Sequence, residues 1–520
     1  MEAQKYVIGI DVGTTGCRTV IFDLKGNEIG TGYRENPLRY PQPGWVECSP
    51  QALIDNCLES TQEAIHKSGI DAREIASVSF TMMRSSFVMR DAEGGFVRDI
   101  IMWQDLRNAE MLPWMEEQLA EHDMTPDDLY DITGFPLGQV WPSSKIYWVK
   151  KHYPEQYERT AVIHSIHALV MNAYGAEGYI DNTDDAGWWQ IVNADTFEYD
   201  AKLAKIFGVD VEKYSTSVPS GSHVGKVSKE VAEKTGLAEG TPLVVGSGDQ
   251  QCAAIGLGNI SEGMASIVLG TAGVIVAQSS KPVRDPNRKA HVIGSALHKW
   301  EIEGHASAAA SSFKWIRQTF GQMEMSAQEL TGIDGYDLLT RQAAKSPAGS
   351  KGLIFVPWLA GAACPHYDSD ARGAFVGMTF GHSKCDIVRA AMEGVCYEMR
   401  AMIEALGKVG LPPFEVFRVS GGAARSPLWN QMSADIYGKP VEIVRAPEAT
   451  ALGAAMIGAV GVGLFQNVEE AVGEMVHVTE RWEPIEENVR IYNEMYAIFD
   501  ETYRCLAQNV YPALAKAQGF

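Results

Sequence analysis

Two aspartates, each beside a glycine-rich turn, are the residues of this chain best placed to handle a phosphate. Residues 6–18 read YVIGIDVGTTGCR. An apolar, β-branched run ends in Asp11, a turn of Gly13, Thr14, Thr15 and Gly16 follows, and then Arg18. A strand that stops at a carboxylate and breaks into such a turn offers free backbone amides, two hydroxyls, a cation and an acid able to hold magnesium. Triphosphate handling needs that set, because its catalysis is mostly positioning and charge neutralisation. The turn is not a Walker A loop, since no Gly-Lys-Thr follows, and the dinucleotide fingerprint GxGxxG is absent. Downstream, VVGSGDQQ puts Asp249 and Gln250 just after an apolar run. Leu269-Gly270-Thr271-Ala272-Gly273 repeats the hairpin device, and VSGGAARS, with Gly421, Gly422 and Ser426, precedes a helix through Trp429.

The elements that must carry these residues follow from pattern and punctuation. Strands over 6–11, 19–22 and 29–33 form an opening meander. Ser49 is an N-cap with Pro50 at the first helical position, and that helix runs to Lys67 with Gly69 beyond it. Further strands are read at 75–81, 87–89 and 100–103. Strands first, then helices alternating with strands, indicate an α/β fold with a mixed sheet. The later part repeats the theme: a strand over 265–269 stops at Gly-Thr-x-Gly and resumes over 274–277, followed by strands at 291–293 and 300–303 and a helix over 307–319. This internal echo predicts two domains of related topology facing each other across a ligand. The Ala- and Gly-rich run 449–465 is a helix packed closely inside the fold rather than a membrane span. Val489, Tyr492, Tyr496, Phe499, Tyr503, Leu506 and Val510 form a core-facing helical stripe.

At 520 residues the chain is too long for one ordinary core. A formal charge of −22 with no basic stripe argues against nucleic acid and other polyanions. The eight cysteines show no CxxC pairing and read as reduced thiols. The opening residues carry no basic leader or apolar h-region, which leads us to expect a cytoplasmic protein.

With DxGTT at the start, GxGDQQ in the middle, then ARGxxxG, the RAxxEG helix and SGGAxxSPLWNQMxAD in that order, the chain resembles the FGGY family of carbohydrate kinases. The resemblance implies two actin-like (ribonuclease H-like) domains, each a mixed β-sheet flanked by helices, with an interdomain cleft. It sets the N-terminal domain at 1–257, the C-terminal domain at 258–485, and a helix over 486–520 packing on the body. It implies ATP as phosphoryl donor, Mg2+, and a small sugar or polyol as acceptor. Asp249 matches the family's catalytic base, and Asp11, with Asp249, the metal site. Gly13, Thr14, Thr15 and Arg18 match the first phosphate loop, and Gly270, Thr271 and Gly273 the second. Gly421, Gly422 and Ser426 match the adenosine loop, while Ala310 stands where relatives carry a glycine beside the nucleotide. Many relatives are dimers or tetramers.

For the acceptor, Arg84 matches an arginine that hydrogen-bonds substrate hydroxyls in glycerol kinases, although their neighbouring acid is here Ser85. Xylulose kinases carry Met-His-Gly at this point, which the chain lacks. Trp103 and Asp105 match the family's Trp-x-Asp-x-Arg stretch as a sugar wall, Gln250 stands beside the base, and Trp141, Trp188 and Trp189 are further wall candidates. A xylulose-like ketose, the autoinducer-2 precursor and a related polyol all fit this reading. The rival is a pseudokinase or actin-like ATPase switch that binds sugar or nucleotide without sugar kinase activity.

Overall fold

A computed structural model of the chain describes residues 4–446 and 448–518. The described residues build two large sheets of the same design. In the first, β1 (Tyr6–Val12), β2 (Gly16–Asp23) and β3 (Glu28–Glu35) form the antiparallel meander, with Asp11 opposite Arg18. Strand β4 (Ile75–Met82) lies parallel to β1. Beyond it come β5 (His223–Lys226) and β6 (Pro242–Gly248), in the sheet order β5-β6-β4-β1-β2-β3. The second sheet has β7 (Met264–Leu269), β8 (Gly273–Ser279), β9 (His291–Ser295), β10 (Lys299–Ala306), β11 (Val416–Gly421), β12 (Val441–Val444) and β13 (Val478–Trp482). Its order is β9-β10-β8-β7-β11-β12-β13.

The correspondence is direct. In both sheets a first strand turns back through a tight hairpin, a further antiparallel strand extends the meander (β3 in the first sheet, β10 in the second, with β9 at the edge beyond it), and a parallel strand lies on the other side of the first. The internal echo in the sequence is therefore a repeat of topology. Strand ends explain where the chemistry collects: Asp11 to Gly16 and Gly270 to Gly273 are the same hairpin in two sheets.

Helix starts and stops follow local rules. Ser49 accepts the amide of Ala52 and caps α1 (Pro50–Ser68), and Gly69 ends it in the left-handed region at φ 65°. The helix expected to begin at 307 begins as α3 (Ala310–Phe320), after α2 (Asp249–Gly256), because residues 307–309 still belong to the turn that meets Thr271. The chain continues with α4 (Lys384–Leu406) and α5 (Pro427–Tyr437), then α6 (Ala449–Gly461), all but its ends buried. Helix α6 packs against Val7, Ala76, Cys252 and Ile255, beneath the first sheet. Its backbone meets that of α2, where a Cβ at Gly453 would overlap the carbonyl of Cys252, and one at Gly256 the carbonyl of Ala449.

Helix α7 (Glu486–Gln518) lies along the second core, where Tyr492 donates to Glu393 and accepts from Arg389 of α4. Its stripe is corrected at one end. Val510 is 41% exposed, and Tyr511 and Ala515 are buried instead, since contacts step by four from Phe499 through Tyr503 and Ala507. Among the described residues, no helix is long and apolar enough to cross a membrane.

The α2–α6 contact yields a stability test. Alanine at 453 would lower the entropy of the unfolded chain, a gain of roughly 0.4–1 kcal/mol. Overpacking against rigid backbone costs about 1–3 kcal/mol and should win. We expect Gly453→Ala to lower the melting temperature; an unchanged or raised value would refute the close packing.

Candidate functional site

The site is assembled from strand ends of both sheets. Asp11 closes β1, Asp249 opens α2 directly after β6, and Arg84 follows β4 in a turn whose next residue, Ser85, is left-handed at φ 61°. Arg84 and Asp249 form an ion pair, Nε to Oδ1, at 3.0 Å. Gly248 is needed here, since a Cβ would stand 2.6 Å from Asp185 Oδ1 and 2.7 Å from Arg84 Cδ. Asp249 keeps 31% of its side chain accessible from the cleft. Burial raises its pKa while Arg84 holds it down, and Glu303 pushes it up again. Its amide neighbour Gln250 donates its backbone N–H to Asp249 Oδ1 at 2.8 Å, and the Gln250 Oε1 is buried without a partner among the described residues.

Asp11 is likewise held away from its ordinary ionisation. Burial, then the charges of Asp249 and Glu448, push its pKa up to about 7 against the pull of Arg18. Its Oδ1 is buried and without a hydrogen-bond partner among the described residues. A hard, oxygen-seeking cation would satisfy that oxygen and relieve the repulsion. Among the described residues no cluster of three or more His, Cys, Asp or Glu could hold a metal by itself. Two carboxylates completed by phosphate oxygens and water are, however, how magnesium is commonly held, so the residues present fit the ion.

The two hairpins present unpaired donors. Among the described residues the amides of Thr14, Thr15, Thr271 and Ala272 have no hydrogen-bond partner, while Gly13 N–H closes its turn on Gly16 at 3.0 Å. Thr271 is exposed, Gly270 half-buried, and Gly273 buried against Met399 and Ala309. Ala310 donates its amide to the Gly270 carbonyl at 2.9 Å, so the helix α3 start clamps the second turn. The loop after β11 lies alongside, with Gly421 seated against Leu269, whereas Gly422 is exposed and has nothing within 4 Å of where a Cβ would stand. That open space is what a ligand ring lying on backbone requires.

Several residues sit otherwise than expected. Asp105 is corrected: it is fully buried, with both oxygens taken by Arg107 at 2.8 and 2.7 Å and one also accepting the Val46 amide at 2.6 Å. A carboxylate so committed holds a turn and offers nothing to a ligand. Trp103 is 39% exposed but aims its indole N–H at Thr14 Oγ1, 2.8 Å away, so it braces the first hairpin. Lys145, fully buried, donates to the carbonyls of Trp103 and Val140 at 2.7 and 3.0 Å and fixes that segment; burial brings its pKa down to about 7. Arg18 pairs with Glu448 at 3.0 Å. Ser426 accepts the Trp429 amide as the cap of α5. Trp189 is core, packed on Tyr214, and Trp141 packs on Phe135, but Trp188 lies under Arg84 with its ring centroid 4.3 Å from the guanidinium carbon.

The sequence reading missed Glu303, Asp185 and His305. Glu303, on β10, takes Arg84 Nη1 at 2.9 Å and Nη2 at 3.0 Å, and Gln251 Oε1 takes Nη1 at 3.3 Å. Asp185 accepts from Gln251 and is driven up in pKa by burial. His305 is half-buried, held neutral by burial, and its ring nitrogens have no hydrogen-bond partner among the described residues. The available signal was WEIEGH, where Glu301, Glu303 and His305 alternate onto one face of a strand otherwise made for a core.

A two-lobed α/β body with paired hairpins and an acid between them is that of an actin-like phosphotransferase. Family models for the FGGY family of carbohydrate kinases match residues 6–256 (N-terminal domain) and 265–462 (C-terminal domain), and the chain belongs to this family. It is thus a phosphotransferase with an alcohol acceptor, acting with ATP on a small sugar or polyol. It is 29% identical over 501 residues to the xylulose kinase of Bacillus subtilis, covering 96% of this chain and 97% of that one. It is equally 29% identical over 513 residues to the gluconokinase of the same organism, with 99% and 98% covered. The ligand-bound xylulose kinase of Lactobacillus acidophilus shares the fold at a TM-score of 0.88 and 23% identity, over 98% of this chain and all of that one (100%).

The strain on Asp11 sets a pH test. Its folded pKa of about 7 stands above the unfolded value near 3.9, so its contribution is full below about pH 4 and is lost as pH rises to 7. We expect Asp11→Asn to flatten the fall of melting temperature between pH 4 and 7, and to abolish any stabilisation by magnesium at pH 8. An unchanged slope would refute the assignment.

Proposed function

We propose that this chain transfers the γ-phosphoryl group of ATP to a hydroxyl of a small, uncharged ketose or polyol of the xylulose type, with Asp249 as the base. The observation that carries this reading is the Arg84–Asp249 ion pair at the cleft. It joins a cation able to fork onto neighbouring hydroxyls to a carboxylate able to take a proton. The sugar lies between Arg84, Trp103 and Asp249. As the acceptor oxygen attacks the γ-phosphorus, the bond to the ADP bridging oxygen breaks and the hydroxyl proton passes to Asp249. An aspartate is too weak to ionise an alcohol beforehand, but in a loose transition state the proton leaves late, and the raised pKa of Asp249 makes it the better acceptor.

Free amides of the two hairpins receive phosphate oxygens, and Gly422 leaves room for the adenosine. Asp11 and Asp249 would hold magnesium, which supplies neutralisation of the phosphate charge. Of the two relatives' named substrates, xylulose suits the site better than gluconate. Arg84 is already shared by two carboxylates, and burial keeps the imidazoles of His291 and His305 neutral. An aldonate carboxylate would find no unpaired cation among the described residues that surround Asp249.

A coupled ADP-release screen over sugars, polyols and aldonates tests this. We expect turnover with neutral acceptors and a loss of about 10²–10⁴-fold in kcat for Asp249→Asn. Unchanged turnover in that variant would remove the base, and preference for gluconate would overturn the substrate class. Gly422→Ala should leave the melting temperature unchanged and raise KM for ATP alone; an unaltered KM would move the nucleotide elsewhere.

A further inference from the structure

Arg84 belongs to the first sheet's strand ends, yet its orientation is set from the second. Of the hydrogens on its guanidinium, Nη1 donates to Glu303 Oε2 and Gln251 Oε1, and Nη2 donates once, to Glu303 Oε1. The Glu303 contacts are an end-on, two-pronged grip, one of the strong geometries open to an arginine and a carboxylate. Both partners are nearly buried, at 9% and 5% side-chain exposure, and Trp188 covers one guanidinium face. This leaves the edge made of Nε–H and the second Nη2–H without a hydrogen bond among the described residues. Asp249 Oδ1 stands beside that edge, 3.0 Å from Nε. The fork is turned so that the edge it shares with Asp249 and the proposed base itself face the same space.

Glu303 gains this position from strand geometry. On β10 it alternates with Ile302 and Gly304, sharing a face with Glu301 and His305. Glu301 is tied down behind it by Gln278 and Ser295. One residue beyond His305 the strand ends at Ala306, which pairs with Gly273 at the mouth of the second phosphate hairpin. One strand therefore links the hairpin to the sugar-gripping arginine of the opposite lobe.

We infer that Glu303 is a positioning residue that orients Arg84 across the cleft, so that the sugar-binding edge is formed only when the two lobes are together. This rests on Arg84 gripping the acceptor as proposed above. Glu303 acts through Arg84 and touches no reacting atom. Its loss should therefore be felt in sugar capture, with nucleotide binding unaffected.

The test uses Glu303→Gln, Glu303→Asp, Arg84→Lys and the double variant Glu303→Gln/Arg84→Lys, with steady-state kinetics on the best acceptor from the screen. For Glu303→Gln we expect KM for the sugar to rise and kcat/KM to fall by about 10- to 100-fold, with KM for ATP within about twofold of wild type. The aspartate should recover part of the loss, and glutamine should add less than about threefold on the Arg84→Lys background. Unchanged sugar KM, an equal rise for both substrates, or independent losses in the double variant would overturn the inference. If glutamine at 303 does not fold, the aspartate carries the same comparison. A double-mutant cycle on melting temperature without sugar gives a second readout: non-additive losses uphold the coupling and additive ones refute it. Wild type inert toward every acceptor would sink the proposed function, and this cycle would then decide the inference alone.

Discussion

The base we propose, set beside a triphosphate, faces a charge problem that the arrangement of this cleft addresses. Asp249 needs to be ionised to take a proton, yet Asp11 and Glu303 stand close enough to oppose its charge. Burial sharpens the conflict by disfavouring every charged form. Arg84 is the counterweight: its guanidinium pairs with Asp249 on one side and Glu303 on the other, and its own pKa is raised by both. Without it the acids would hold protons, and a protonated Asp249 cannot act as a base.

The two-lobed architecture answers the other half of the problem, which is geometry. Each sheet presents a hairpin of free amides at the end of its first strand, and the repeat of topology sets the two hairpins against one cleft. Helix α6 belongs by sequence to the second half of the chain, but it is buried beneath the first sheet and meets α2 backbone to backbone. Asp249 is the first residue of α2. The element that carries the proposed base is thus packed backbone to backbone onto a helix from the second half of the chain, a contact with little slack.

What the sequence made legible was local. The meander, the capped α1, the buried Gly/Ala helix and the two hairpins each rest on residues within a few positions of one another, where turn and cap chemistry act. The stripe of α7 failed only where its drift moved the buried face from Val510 to Tyr511. Motif position could not tell whether a side chain was already committed. Asp105 carries the right residue type in a family stretch, but Arg107, two residues on, takes both oxygens. The Ser426 hydroxyl is likewise used by the helix it begins. For Glu303 the alternating WEIEGH run was a signal that the position is unusual, but its partner lies 219 residues away and only the fold brings them together.

The energetics of that long-range contact bear on how the cleft behaves between turnovers. Burying a guanidinium carries a desolvation penalty of several kcal/mol, which one carboxylate offsets poorly and two in good geometry offset well. At an effective dielectric of about 20, a unit charge pair about 4 Å apart contributes about 4 kcal/mol, so each of the two pairs is comparable to the penalty. Glu303, from the second sheet, is therefore a principal partner of Arg84 in its buried position. Without Glu303, Arg84 would keep Asp249, Gln251 and the Trp188 face but lose its two-pronged partner. The strand that delivers Glu303 also pairs, at Ala306, with Gly273 of the second glycine hairpin, so one element reaches both parts of the proposed site.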